Sequence, residues 1–75
     1  MNYHIIATYE EGPIFKTSRQ YLETATEVFL EKCKQYSCVK CHIAQYNDAG
    51  EYVGIVFQYT WLNGDYKRAR RHNKR

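Results

Sequence analysis

The stretch Tyr52–Trp61, YVGIVFQYTW, constrains the fold of this chain more than any other. In an extended backbone Val53, Ile55, Phe57, Tyr59 and Trp61 fall on one side. Tyr52, Gly54, Val56, Gln58 and Thr60 fall on the other. Such alternation, rich in β-branched and aromatic residues, describes a strand with one face against a core. The segment predicts Val53, Ile55, Phe57, Tyr59 and Trp61 as that core face.

The remaining elements follow as partners or cover for this strand. Tyr3–Tyr9, YHIIATY, is β-prone, and adjacent Ile5 and Ile6 make it apolar on both sides, which favours an inner position or an outer face that is itself covered. Glu10-Glu11-Gly12-Pro13 breaks it, because glycine admits positive φ and proline lacks a ladder donor. Ile14-Phe15-Lys16 reads as a brief return strand or an extended connection, of which the connection is preferred, with Phe15 packing onto the core. Thr17 or Ser18 is expected to start a helix, with Thr17 and Gln20 forming a reciprocal cap. Leu22, Ala25, Phe29, Cys33 and Tyr36 then recur at helical spacing, and the helix is expected to end near Tyr36-Ser37. Val39–Tyr46 alternates as a strand, and Asn47-Asp48-Ala49-Gly50 is turn chemistry leading into Tyr52–Trp61 as a hairpin.

The predicted architecture is an α+β domain of order β-α-β-β. It is a two-layer unit, a three-stranded sheet with one helix packed on one face. Its second sheet face is then left open, with Lys40, His42, Ala44, Tyr46, Tyr52, Val56 and Gln58 upon it. Apolar and aromatic exposure of this kind marks interaction surfaces.

Charge divides the chain in two. Of 11 basic residues, six fall in 66–75, as Lys67, Arg68, Arg70, Arg71, Lys74 and Arg75, and all eight acids precede them. Residues 1–65 therefore form a mildly acidic domain, and 66–75 a basic tail expected to be flexible. With 75 residues the core is small, since such a chain buries only about 60% of the surface it exposes unfolded. Three cysteines, an odd number, and no apolar leader-like run near Met1 point to a reduced, cytoplasmic setting without disulfides. No apolar run is long enough for a membrane helix. Self-association is expected to supplement the core and cover a strand edge.

Cys38-Val39-Lys40-Cys41-His42 matches the C-x-x-C-H spacing of covalent haem attachment, but that chemistry belongs to exported proteins. Zinc would need Cys33, Cys38, Cys41 and His42 or His4 to converge tetrahedrally. Cys38 and Cys41, three apart, lie on opposite faces of a regular strand, and Cys33 already fits the helix core stripe. Buried thiols are the simpler reading, and no metal or cofactor is expected. His4 and His42, with Glu51 or Asp48 as orienting acid, do not amount to a catalytic set, so the chain is read as a non-enzyme.

Six cations in nine residues are the most specific functional signal, because they attract phosphate and release counterions. Aromatic residues on a sheet stack on unpaired bases. The expected function is therefore binding of RNA or DNA, through Lys67, Arg68, Arg70, Arg71, Lys74 and Arg75 with Lys40, Tyr46 and Tyr52 on the open face. The rival expectation is a protein-binding module or inhibitor, of the kind phages and plasmids direct at a host protein, acting through its sheet face or acidic body.

Overall fold

The computed structural model describes residues 1–62 and 65–69. Six elements succeed one another: β1 (Asn2–Tyr9), β2 (Phe15–Arg19), α1 (Leu22–Cys33), β3 (Cys38–Tyr46), β4 (Tyr52–Leu62) and β5 (Asp65–Ala69). The class is α+β, with one helix on an antiparallel sheet of order β2-β1-β3-β4-β5. The sheet thus exceeds the three strands expected, with β2 added beside β1 and β5 along β4.

Strand β2 is the segment read as a connection. It pairs with β1 from Ala7↔Phe15 to Tyr3↔Arg19. The chain reverses at Gly12, whose φ of 98° suits glycine, and β2 then satisfies backbone groups that β1 would otherwise leave unpaired. β1 is consequently an inner strand, between β2 and β3. Its two isoleucines divide accordingly: Ile5 is fully buried in the core beneath the helix, and Ile6 takes the other face.

Because Thr17 belongs to β2, it does not cap the helix. α1 starts at Leu22 with Tyr21 as N-cap and no side-chain cap. Thr17 Oγ1 instead accepts a hydrogen bond from the Arg19 guanidinium at 2.8 Å. Ala25, Phe29 and Cys33 form the buried stripe, flanked by the partly buried Leu22 and Val28. Tyr36 lies beyond the helix end and is 90% exposed. Glu23 in the first turn and Lys32 in the last suit the helix dipole. Lys32 also sets its ammonium 4.1 Å from the Phe15 ring, tying the helix end to β2.

The helix lies over β3, β1 and β2. Phe29 sits at the centre of the core with Ile5, Ala7, Cys41, Ile43, Val56 and Tyr59, and stacks on Phe57 at 5.8 Å. Tyr59 and Phe57 oppose Cys41 and Ile43, so this half of β4 faces the helix as expected. The other half does not. Ile43 opposes Phe57 but Ala44 opposes Ile55, leaving Val56 as an extra residue. A second irregularity between Gln45 and Tyr46 leaves Val53 unopposed. Each bulge inserts one residue, so side-chain parity inverts after the first and is restored after the second. Val56 is buried, whereas Val53 and Ile55 are exposed, which reverses their expected roles.

The same side-chain deletion at two positions tests this register. Val56→Ala should cost about 1.5–2.5 kcal/mol, from two buried methylene equivalents and the space they leave. Val53→Ala should cost less than about 1 kcal/mol, mainly lost strand propensity. Urea unfolding of both variants checks the order, which an unbroken alternation would invert.

Candidate nucleic-acid interface

Residues directly opposite one another in a sheet share a face, so the register defines what stands on the side away from the helix. Four cross-strand rows result. Asn2, Tyr46 and Tyr52 form the first, and Ser18, His4, Ala44 and Ile55 the second. Lys16, Ile6, His42, Gln58 and Ala69 form the third. Thr8, Lys40, Thr60 and Lys67 form the fourth.

No aspartate or glutamate occupies any of the four rows. Glu23, Glu27 and Glu31 ride exposed on the helix, on the opposite side of the molecule. Glu10 and Glu11 lie in the β1–β2 loop, Asp48 and Glu51 flank the β3–β4 turn, and Asp65 opens β5 opposite Leu62. The rows carry Lys16, Lys40 and the Lys67 position. The rows of the open face thus hold lysines and no acid, whereas the helix layer carries both signs, with Lys32 and Lys34 beside its glutamates.

The aromatic residues gather at one end of this face. Tyr46 and Tyr52 are cross-strand partners, their rings edge to face with centroids 5.7 Å apart. His4 leans on the other side of Tyr46 at 4.4 Å. The β3–β4 turn fixes this hairpin end: Asn47 Oδ1 accepts from the Ala49 and Glu51 amides at 2.9 Å, and Gly50 takes φ 84°. The α-amino group of Met1 reaches the Asp48 carboxylate at 2.6 Å, closing β1 against the same turn and holding that carboxyl below its ordinary range.

Of the residues singled out in the sequence, Lys40, Tyr46 and Tyr52 share the open face, with Lys40 and Tyr52 exposed. Lys67 stands opposite Thr60, itself opposite Lys40, and Arg68 stands opposite Tyr59. Arg70, Arg71, Lys74 and Arg75 lie outside the described residues. Sequence reasoning misses Lys16, because β2 reads as a connection, and misses His4 as a neighbour of Tyr46. The period-two character of Phe15–Arg19 is the signal for the former.

His4 and His42 are diagonal across β1 and β3, with His42 opposite Ile6 and His4 opposite Ala44. Burial lowers the pKa of His42, and Lys40 nearby adds to the effect. Its imidazole is therefore a neutral donor and acceptor at pH 7, not a third cation. The cysteines belong to the other layer. Cys33, Cys38 and Cys41 are all buried in the core under the helix end, and Cys38 Sγ lies 3.4 Å from the Lys40 carbonyl. A hydrogen bond with Cys33, then burial, pushes the Cys41 thiol far up, and burial raises Cys38. Such thiols are poor nucleophiles. His42 faces away from Cys41, so C-x-x-C-H is not one donor set. Among the described residues no group of three or more His, Cys, Asp or Glu is arranged to hold a metal ion. None of their helices is long and apolar enough to cross a membrane.

The lowered His42 pKa makes stability pH-dependent with a definite sign. The unfolded chain takes up this proton near 6.5, before the folded chain does. The contribution is thus complete above that value and declines as pH falls below it. Urea midpoints compared at about pH 7.5 and about pH 5.5 should drop in the parent chain, and His42→Gln should flatten that drop.

No protein-family model matches this chain, and no curated protein or solved structure matches it either.

Proposed function

We propose that this chain is a small, non-enzymatic, cytoplasmic nucleic-acid-binding protein that uses its basic C-terminal residues together with the open sheet face. The observation that carries the reading is the acid-free open face of the sheet. Its four adjoining rows hold no acid, two of them hold lysines, and the six-cation stretch 66–75 begins beside them in β5. Phosphate backbones are attracted to such a surface and give up counterions to it. Lys40, Lys67, Arg68, Arg70, Arg71, Lys74 and Arg75 are assigned to phosphate, and Tyr46 and Tyr52 to bases.

Replacing Arg70, Arg71, Lys74 and Arg75 together by Gln tests it on the full-length chain. Fluorescence anisotropy with labelled RNA and DNA across a salt series should show affinity falling and the log–log salt slope shrinking by roughly 3, at about 0.7–0.9 per phosphate contact. Equal binding by both chains, at equal slope, sinks the reading.

A second reading, a protein-binding module, is favoured by one observation. Beside α1 a groove of about 460 Å³ is lined by Tyr3, Leu22, Gln45, Val53 and Val56 among others, and Val53 is exposed there at the end of β4. Pull-down with nuclease and salt controls separates the two: capture that survives nuclease and high salt favours the protein partner. Self-association belongs to either reading, since the groove and the outer edge of β2 both gain from cover. Sedimentation equilibrium is expected to give a mass above 9.0 kDa that rises with concentration, and a constant monomer mass refutes it.

A further inference from the structure

We infer that the open face is a platform for single-stranded nucleic acid, with the Tyr52 ring stacking on an unpaired base and the lysine row carrying the phosphates. The inference rests on the nucleic-acid reading above and adds the class of substrate, which charge alone does not choose.

Shape excludes the duplex from base contact here. Five strands about 4.8 Å apart make a face roughly 19 Å wide, whereas a major groove about 12 Å wide admits a helix or a two-stranded ribbon. A duplex on this face meets it through phosphates alone, and its stacked bases offer no ring surface. An unpaired strand offers both.

The face is arranged for both. Tyr52 is 59% exposed, yet its ring is not loose, because Tyr46 meets it edge to face and His4 leans on Tyr46 from β1. An edge-to-face pair leaves a broad ring surface uncovered, and fixing that ring beforehand lowers the entropy lost on stacking. His4 is thus a positioning residue for the tyrosine pair, and Tyr46, besides its own assignment to bases, holds the Tyr52 ring in place. Lys40 lies six positions along β3 from Tyr46, about 20 Å at 3.3 Å per residue, with Lys16 in one of the two rows between. A short strand anchored by its phosphates near Lys40 crosses acid-free rows to bring a base to Tyr52. The competing role for the tyrosine pair is to steady the hairpin, as cross-strand aromatics do. That role predicts altered stability without altered choice of ligand.

The test measures affinity for one mixed-sequence oligonucleotide as single-stranded DNA, single-stranded RNA and duplex DNA, at one fixed low salt. The parent chain should prefer at least one single strand over the duplex, and the preferred sugar identifies the source. Tyr52→Leu, which keeps apolar bulk at the hairpin, should weaken that single strand by roughly five- to a hundredfold and erase most of the preference. Tyr52→Phe should restore it. Tyr36→Ala, which removes an exposed tyrosine outside the face, should change nothing. Equal, salt-steep binding of single strand and duplex by the parent overturns the platform and leaves the charge-based reading standing. So does a Tyr52→Leu chain indistinguishable from the parent. Binding to none of the three probes overturns both.

Discussion

Twelve residues of α-helix, about 18 Å long at 1.5 Å per residue, are the only helical cover among the described residues of this sheet. Their contact with the strands is made by Ala25, Phe29 and Cys33, and much else follows from how little sheet they reach. Beneath them Ile5, Ala7, Cys41 and Ile43 are excluded from water. Toward β4 the cover thins to Phe29 against Phe57, and beyond it Val53 is exposed. Among the described residues no helix packs on the far face, and Ile6, His4 and His42 are half-buried there. A core this small makes Phe29 costly to lose, and it leaves the remaining surface available for binding.

The bulges in β4 adjust the strand to that short helix. Inverting parity between Val56 and Val53 turns Val56 inward where Phe29 ends and puts Ile55 opposite Ala44 on the other face. The two bulges together leave Tyr52 on the face that plain alternation gives it, but bring it directly opposite Tyr46, where unbroken pairing would set Gly54. Bulges commonly re-aim side chains near functional surfaces. Here the same two irregularities shape the core and the candidate site.

The α+β class, the stripe Leu22-Ala25-Phe29-Cys33 and the Asn47–Gly50 turn are legible in the sequence, because each depends on local periodicity or turn chemistry. The facing of Val53, Ile55 and Val56 is not, because parity there depends on which β3 residue each one opposes, a long-range fact. One local sign exists: an isolated glycine inside a strand pattern marks a bulge, and Gly54 lies between the two. β2 is obscured for a similar reason. Thr17 and Gln20 are equally good helix-cap residues and strand residues, and the edge of β1 decides between them. For the candidate site, Lys40, Tyr46 and Tyr52 are readable from alternation within β3 and the hairpin. Lys16 and His4 join them only through pairing to β1 and β2.

The position of β5 changes how the basic stretch relates to the face. Were 66–75 wholly separate, its charges would act at a distance set by a loose connection. Pairing instead places Lys67 in the row of Lys40 and ends β5 at Ala69, opposite Gln58 in the row of His42. The six residues that follow span at most about 20 Å, at no more than 3.3–3.6 Å each. That reach from Ala69 is comparable to the face itself, about 19 Å across and about 20 Å from Lys40 to Tyr46. On the proposed reading, phosphates held by Arg70, Arg71, Lys74 or Arg75 would therefore be held within reach of the row that contains Tyr52. Tethering at such range raises the effective concentration of the strand over the sheet into the millimolar regime typical of short linkers. On that proposal, weak stacking on one ring would contribute to affinity where it would be negligible on its own, with charge supplying capture and the sheet supplying choice.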